Sequence, residues 1–154
     1  LENIIWKSCI TLSDITENPD KPWNWDGISV NPNLTVEFIK ANQDKPWNIQ
    51  DLKFKFGLGG YILSIHSIED LISFMESSFY IILKLGKVEE IDLDSIPVDD
   101  SEKWLYISVK MNISLEFITN NINKPWNWDR MGYINKNLTL DFVKLYHEKM
   151  GIYN

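Results

Sequence analysis

The sequence predicts an all-α protein, a solenoid of short helix-turn-helix repeats of about 24 residues each. Three observations predict it. Lys21-Pro22-Trp23-Asn24-Trp25 returns as Lys45-Pro46-Trp47-Asn48-Ile49, 24 residues later, and again as Lys124-Pro125-Trp126-Asn127-Trp128. Leu34-Thr35-Val36-Glu37-Phe38-Ile39 returns as Ile113-Ser114-Leu115-Glu116-Phe117-Ile118 and Leu138-Thr139-Leu140-Asp141-Phe142-Val143, with a worn first copy at Ile10-Thr11-Leu12-Ser13-Asp14-Ile15. The composition is 44% hydrophobic with 7 Trp, 6 Tyr and 7 Phe, more apolar surface than a disordered chain carries. A fixed period in such a chain is the mark of a stacked array.

Each repeat reads as two helices. In helix A, Thr or Ser stands as N-cap with an acidic residue two places on, at the positive end of the helix dipole. Leu34 before the cap and Ile39 inside the helix fit a hydrophobic staple, and the second copy is expected to run from about Val36 to Asn42. Helix B is expected from about Lys21 to Ser29, with Asp20, Asp44 and Asn123 as caps and Pro in the first turn, where its missing N–H is no loss. Asn31-Pro32-Asn33 stops it, because Asn tolerates a left-handed closing residue and Pro cannot continue a helix. Helices of two turns fall below the ~12–15 residues that hold themselves together in water, so they must stack. The repeated Trp and Phe are the natural packing between neighbours.

The centre departs from the period. Trp104–Val109 aligns with Trp25–Val30 at an offset of 79 residues, where three whole repeats would give 72. The chain therefore divides into residues 1–53 as repeat block one, 54–103 as degenerate repeats or an insert, and 104–154 as block two, within one continuous domain. Ser67-Ile68-Glu69 lies twelve residues before Phe79 as Thr35-Val36-Glu37 lies twelve before Trp47, which favours degenerate repeats, five or six units in all. Phe79–Leu85, Gly86-Lys87 and Val88–Leu93 read alternatively as a small β-hairpin. The strand-like Phe54-Lys55-Phe56 and Gly57-Leu58-Gly59-Gly60 suggest a hinge between the two blocks.

Charge and cysteine content exclude several classes. A net charge of −7 and pI near 4.8 oppose the phosphate neutralisation on which nucleic-acid binding depends. A single cysteine, Cys9, permits no intrachain disulfide and no multi-cysteine zinc site, and it fits a reducing compartment. No apolar run approaches the ~20 residues of a membrane helix, and no signal peptide is evident. A cytosolic location is expected, and the start at Leu1 suggests a product of a longer gene. The 14 Lys against one Arg, Arg130, with abundant Ile and Asn, are the signature of an A/T-rich genome.

On the N-P-N-[LI]-T and K-P-W-[ND]-W units, the chain resembles uncharacterised tandem-repeat proteins of giant DNA viruses that infect amoebae. The resemblance covers residues 10–53 and 104–154. Departures are Ile49 for the second Trp, Lys110-Met111 in place of Asn-Pro, and Lys136 in place of Pro. It implies a viral, non-catalytic protein–protein interaction scaffold, virion-associated or directed at a host protein, located in the host cytoplasm or the virion. A viral or host protein is the expected partner, with no nucleic acid, membrane or cofactor. Positions that vary between copies are where a partner would be read: Lys40, Ala41, Lys110, Thr119, Asn120, Lys144 and Leu145.

Other readings are weighed against that one. Exposed Trp rings could stack on a ligand, above all Trp6 or Trp128 at an array end, although aromatics at fixed repeat positions are usually core. Asn33, Asn112 and Asn137 open glycosylation sequons, which the capping turn explains more simply. The alternative function is a small enzyme or ligand-binding module around Gly57–Gly60 and His66. Against it, the glycine run lacks the Lys-Ser/Thr of a phosphate loop, and neither His66 nor His147 lies in a G-x-S-x-G or H-E-x-x-H motif. The acidic residues from Glu89 to Asp94, with Asp99 and Asp100, lack the spacing and glycine of a calcium loop and read as a solvated face or linker.

Overall fold

The computed structural model of the chain describes residues 10–110 and 112–151. These residues divide into two compact units, one ending at Ser77 and the other starting at Ser78. The first unit carries α1 (Leu12–Glu17), α2 (Trp25–Ile28), α3 (Val36–Ala41), α4 (Ile49–Lys55) and α5 (Ile68–Met75). The second carries α6 (Ser78–Lys84), two 3-10 turns at Val88–Glu90 and Leu93–Ser95, then α7 (Ser101–Ser108), α8 (Leu115–Asn120), α9 (Trp128–Ile134) and α10 (Leu140–Tyr146). The boundary falls inside the expected central segment. No strand occurs among the described residues, and none of their helices is long and apolar enough to cross a membrane.

The caps expected for helix A are present in every copy. Thr35 Oγ1 accepts from the Phe38 N–H at 3.1 Å, Ser114 Oγ from Phe117 at 3.1 Å and Thr139 Oγ1 from Phe142 at 3.2 Å. The worn copy keeps a full capping box, Thr11 Oγ1 accepting from Asp14 N–H while the Asp14 carboxylate accepts from Thr11 N–H. Ser67 caps α5 in the same way at 3.1 Å, so the degenerate copy retains the signal.

Helix B begins later than expected, at Trp25, Ile49 and Trp128, and its caps are Asn24, Asn48 and Asn127. Asp20, Asp44 and Asn123 do not cap it. The physical reason lies in the Lys-Pro-Trp tripeptide, which forms a tight turn in place of a first helical turn. Pro fixes φ near −65°, close to the centre of an inverse γ-turn, and the Trp N–H donates back across it to the Lys carbonyl at 2.8 Å from Trp23, 2.8 Å from Trp47 and 2.7 Å from Trp126. The end of α2 also differs from the expected left-handed Asn. No residue other than glycine has positive φ among the described residues, and Asn31 instead accepts from the Asn33 N–H at 2.9 Å and donates to the Ile10 carbonyl at 3.1 Å.

The segment that reads alternatively as a β-hairpin is helix followed by 3-10 turns. Tyr80 and Leu83 are three residues apart on one face of α6 and both are buried, so the apolar run follows a helical period. Gly86, at φ 74°, closes α6 through its own N–H to the Leu83 carbonyl at 3.0 Å and the Lys87 N–H to the Ile82 carbonyl at 3.1 Å. Gly57, at φ 77°, closes α4 identically, with the Leu58 N–H reaching the Lys53 carbonyl at 2.8 Å. Phe54-Lys55-Phe56 is thus the end of a helix, because the glycine after it satisfies helical carbonyls.

In the first unit Ile28, Ile39, Leu52, Leu58 and Leu71 are fully shielded, and α5 packs on α3 and α4. In the second unit Ile107, Ile113, Ile118 and Met131 are fully shielded, and α7 packs on α9. Both cores are crossed by a buried serine. Ser29 Oγ donates to the Trp25 carbonyl at 2.6 Å and accepts from the Asn48 N–H at 3.0 Å, joining one repeat to the next. Ser108 does the same between Trp104 and Asn127, at 2.5 and 2.9 Å. Each hydroxyl has both roles filled, which makes its burial tolerable.

Candidate partner-binding groove

The repeated pentapeptide is held by one asparagine. Asn18, Asn42 and Asn121 end helix A, and their amides donate to the carbonyls four residues back at 2.9, 2.8 and 2.8 Å. Their own carbonyls each accept two donors, the following Lys N–H and the indole Nε1–H of Trp23, Trp47 or Trp126, the latter at 2.9, 2.8 and 2.8 Å. The next Asn then caps helix B by accepting from the N–H three residues on. Each residue of Asn-x-x-Lys-Pro-Trp-Asn therefore has a place in the turn, which explains why the motif recurs as a block.

This turn lays three aromatic rings together in each unit. Trp25 meets Trp47 edge-on at 4.9 Å between centroids, and Phe38 meets Trp47 at 6.2 Å. Their counterparts Trp104, Phe117 and Trp126 repeat the arrangement at 5.5 and 6.4 Å. Edge-to-face pairing places a ring's positive rim on its neighbour's negative face.

The first unit leaves part of this cluster open. A groove of about 230 Å³ runs between Ile15, Thr16 and Pro19 on one wall and Phe38, Ala41, Asn42 and Lys45 on the other, floored by Trp23 and Trp25. Lys45 Nζ stands 5.8 Å from the centroid of the Trp25 ring and 3.7 Å from the carboxylate of its neighbour Asp44, which itself is 80% exposed. The indole N–H of Trp25 has no hydrogen-bond partner among the described residues. The site thus presents apolar ring surface, one cation beside an exposed carboxylate, and one indole N–H left to solvent.

The positions expected to contact a partner are dispersed. Ala41 is exposed and lines the groove. Lys40, next to it, pairs with Glu76 at 2.6 Å, and that carboxylate raises the lysine's pKa. Lys110 is half-buried with its Nζ 4.0 Å from the Tyr106 ring centroid, and burial lowers its pKa. Thr119 donates its hydroxyl to the Leu115 carbonyl at 2.7 Å, while Asn120 is exposed at the end of α8. Lys144 and Leu145 are exposed on α10, Leu145 at 72%. Of the other groove residues, Trp23 and Trp25 belong to the repeated tryptophans that the sequence assigns to packing, and Lys45 is not among the positions it singles out.

Among the described residues the other candidate chemistries find no assembled site. His66 is exposed, Gly57 serves a helix end, and His147 Nδ1 donates to the Lys144 carbonyl at 2.9 Å. No group of three or more His, Cys, Asp or Glu suited to a metal occurs among the described residues. The acidic run is structural: Glu89 accepts from both the N–H and the hydroxyl of Ser114, Asp92 caps the second 3-10 turn, Asp94 pairs with Lys124, and Asp100 caps α7 at 3.1 Å. Those two bonds from Ser114 hold the Glu89 carboxyl below its usual pKa. Trp128 is partly exposed, and Trp6 and Cys9 lie outside the described residues. No protein-family model matches the chain, and no curated protein or solved structure matches it.

Proposed function

We propose that the chain is a non-catalytic protein–protein interaction scaffold of viral origin, virion-associated or host-directed, whose repeats stack as a solenoid. The observation that carries the interaction reading is the groove floored by Trp23 and Trp25, an apolar surface with Lys45 at its rim. Binding sites of this kind combine ring surface with a few placed polar groups. Partly exposed Trp is also the residue type most enriched at interaction hot spots. The stacked-repeat reading is supported by the buried serine ties between successive units, and the viral reading by the resemblance of the repeat unit.

The test is capture with the tagged full chain from amoebal host extract and from infected cells, with an Ala41→Arg variant in parallel. Ala41 ends α3 at the groove wall, where an arginine would complement the helix dipole and fill the space. A stoichiometric protein partner retained by the parent chain and lost by the variant is expected. Absence of any stoichiometric partner from both sources would refute the reading.

A further inference from the structure

The second unit shows how the lysine and tryptophan at the groove of the first, where Lys45 has only the exposed carboxylate of its neighbour Asp44 at 3.7 Å, are engaged when another chain segment reaches them. With the offset of 79 residues, Lys45 corresponds to Lys124, Trp25 to Trp104 and Ile15 to Asp94. Lys124 forms an ion pair with Asp94. The indole N–H of Trp104 donates to the Pro97 carbonyl at 2.9 Å. One short stretch, Asp94 to Pro97, therefore gives a carboxylate to the lysine and, three residues on, a backbone carbonyl to the tryptophan.

In the first unit the same lysine and tryptophan stand beside the same ring partner, Trp47 in place of Trp126. The stretch at the corresponding place is the end of α1, where Ile15 is 3% exposed and turned into the core. Isoleucine has no charge to offer Lys45, and the carbonyl of Asn18, the counterpart of Pro97, is already engaged by the Trp23 indole N–H at 2.9 Å and the Lys21 N–H at 3.2 Å. Neither group receives there what its counterpart receives in the second unit.

We infer that the groove of the first unit binds an acidic segment of a protein partner in a turn like that of Asp94 to Pro97, its carboxylate pairing with Lys45 and a backbone carbonyl about three residues later accepting from Trp25 Nε1–H. Apolar side chains between those two points would lie on the Trp23, Trp25 and Phe38 rings, as Trp–aliphatic packing favours. A charge-assisted bond to Lys45 and a neutral one to Trp25 predict unequal effects on removal. The inference rests on the interaction reading above and adds the chemistry of the partner to it.

The experiment is selection of a displayed library of random nonamer peptides on the immobilised full chain, followed by titration of the enriched peptides against the parent, Lys45→Gln and Trp25→Phe. Trp25→Phe keeps a ring on the groove floor while deleting the indole N–H, and circular dichroism of both variants checks that the fold is kept. Enriched peptides are expected to carry Asp or Glu among apolar residues, to weaken about tenfold on Lys45→Gln, and to weaken about threefold on Trp25→Phe. Enrichment of no acidic sequence, or peptides whose affinity is unchanged in both folded variants, would overturn the inference. A captured partner sensitive to Ala41→Arg but indifferent to both of these substitutions would also overturn it, while leaving the scaffold reading intact.

Discussion

Trp25 and Trp104 occupy the same position of the repeat, yet one lies partly open at a groove and the other is 2% exposed. The ring partners and the serine below each of them are the same. What differs is the segment preceding each: in the second unit, α7 starts a full turn earlier on Asp100, and Pro97 and Asp94 close over the tryptophan and lysine. In the first unit, α2 has only four residues and starts directly at Trp25. One aromatic design can therefore lie buried in the core or partly open at a groove, according to whether flanking chain closes over its polar edge.

The comparison can be broken most directly at the two tryptophans. Trp104→Ala is expected to cost about 3–5 kcal/mol in urea unfolding, the range for deleting a buried aromatic, and Trp25→Ala less than half as much because its ring is partly solvated already. Equal losses would mean that Trp25 is core in solution, and the open groove would be gone. The shared frame is tested by Ser29→Ala and Ser108→Ala. Each should lose about 1–3 kcal/mol, since each strands the N–H of Asn48 or Asn127 in the interior. A markedly smaller loss at one serine would show that only one unit depends on the tie.

Smaller effects sharpen the contrast. Asp94→Ala removes the ion partner of Lys124, and with Asp94 86% exposed the loss in thermal unfolding should stay below about 1 kcal/mol. The smallest effect concerns Glu89, whose bonds to Ser114 cap α8 from 25 residues away, whereas Thr35 at the same place in the first unit has no carboxylate at its N–H among the described residues. Its carboxyl is held below the ordinary value of 4.5, so this contribution is complete above that value and is lost as pH falls through the lowered one. Glu89→Gln should flatten the acid limb of the stability profile and leave neutral pH nearly unchanged. An unaltered acid limb would remove Glu89 from the account.

Much of the local structure could be read from the residues. Thr11, Thr35, Ser67, Ser114 and Thr139 were identifiable as caps because capping is a bond between a side chain and an N–H three residues away, wholly encoded in sequence. The Lys-Pro-Trp turn was misassigned for a related reason: proline is equally at home in a first helical turn and in a γ-turn. The choice between them was made by the Asn carbonyl that holds the indole, a contact across five residues. Gly86 was ambiguous in the same way, since a glycine after an apolar run suits a hairpin and a helix end alike.

By itself the sequence determined the all-helical character, the positions of the helix A caps and the recurrence of the aromatic cluster, all of which rest on short-range bonds and apolar period. Tertiary structure alone decided which tryptophan is fully buried, which lysine meets a carboxylate distant in sequence, and that Ser29 and Ser108 tie one repeat to the next. Those outcomes depend on groups about 20 or more residues apart meeting in space, such as Asp94 with Lys124 or Ser108 with Asn127. Identical motifs carry no record of that, because a repeat encodes its own turn but not the segment that will close over it.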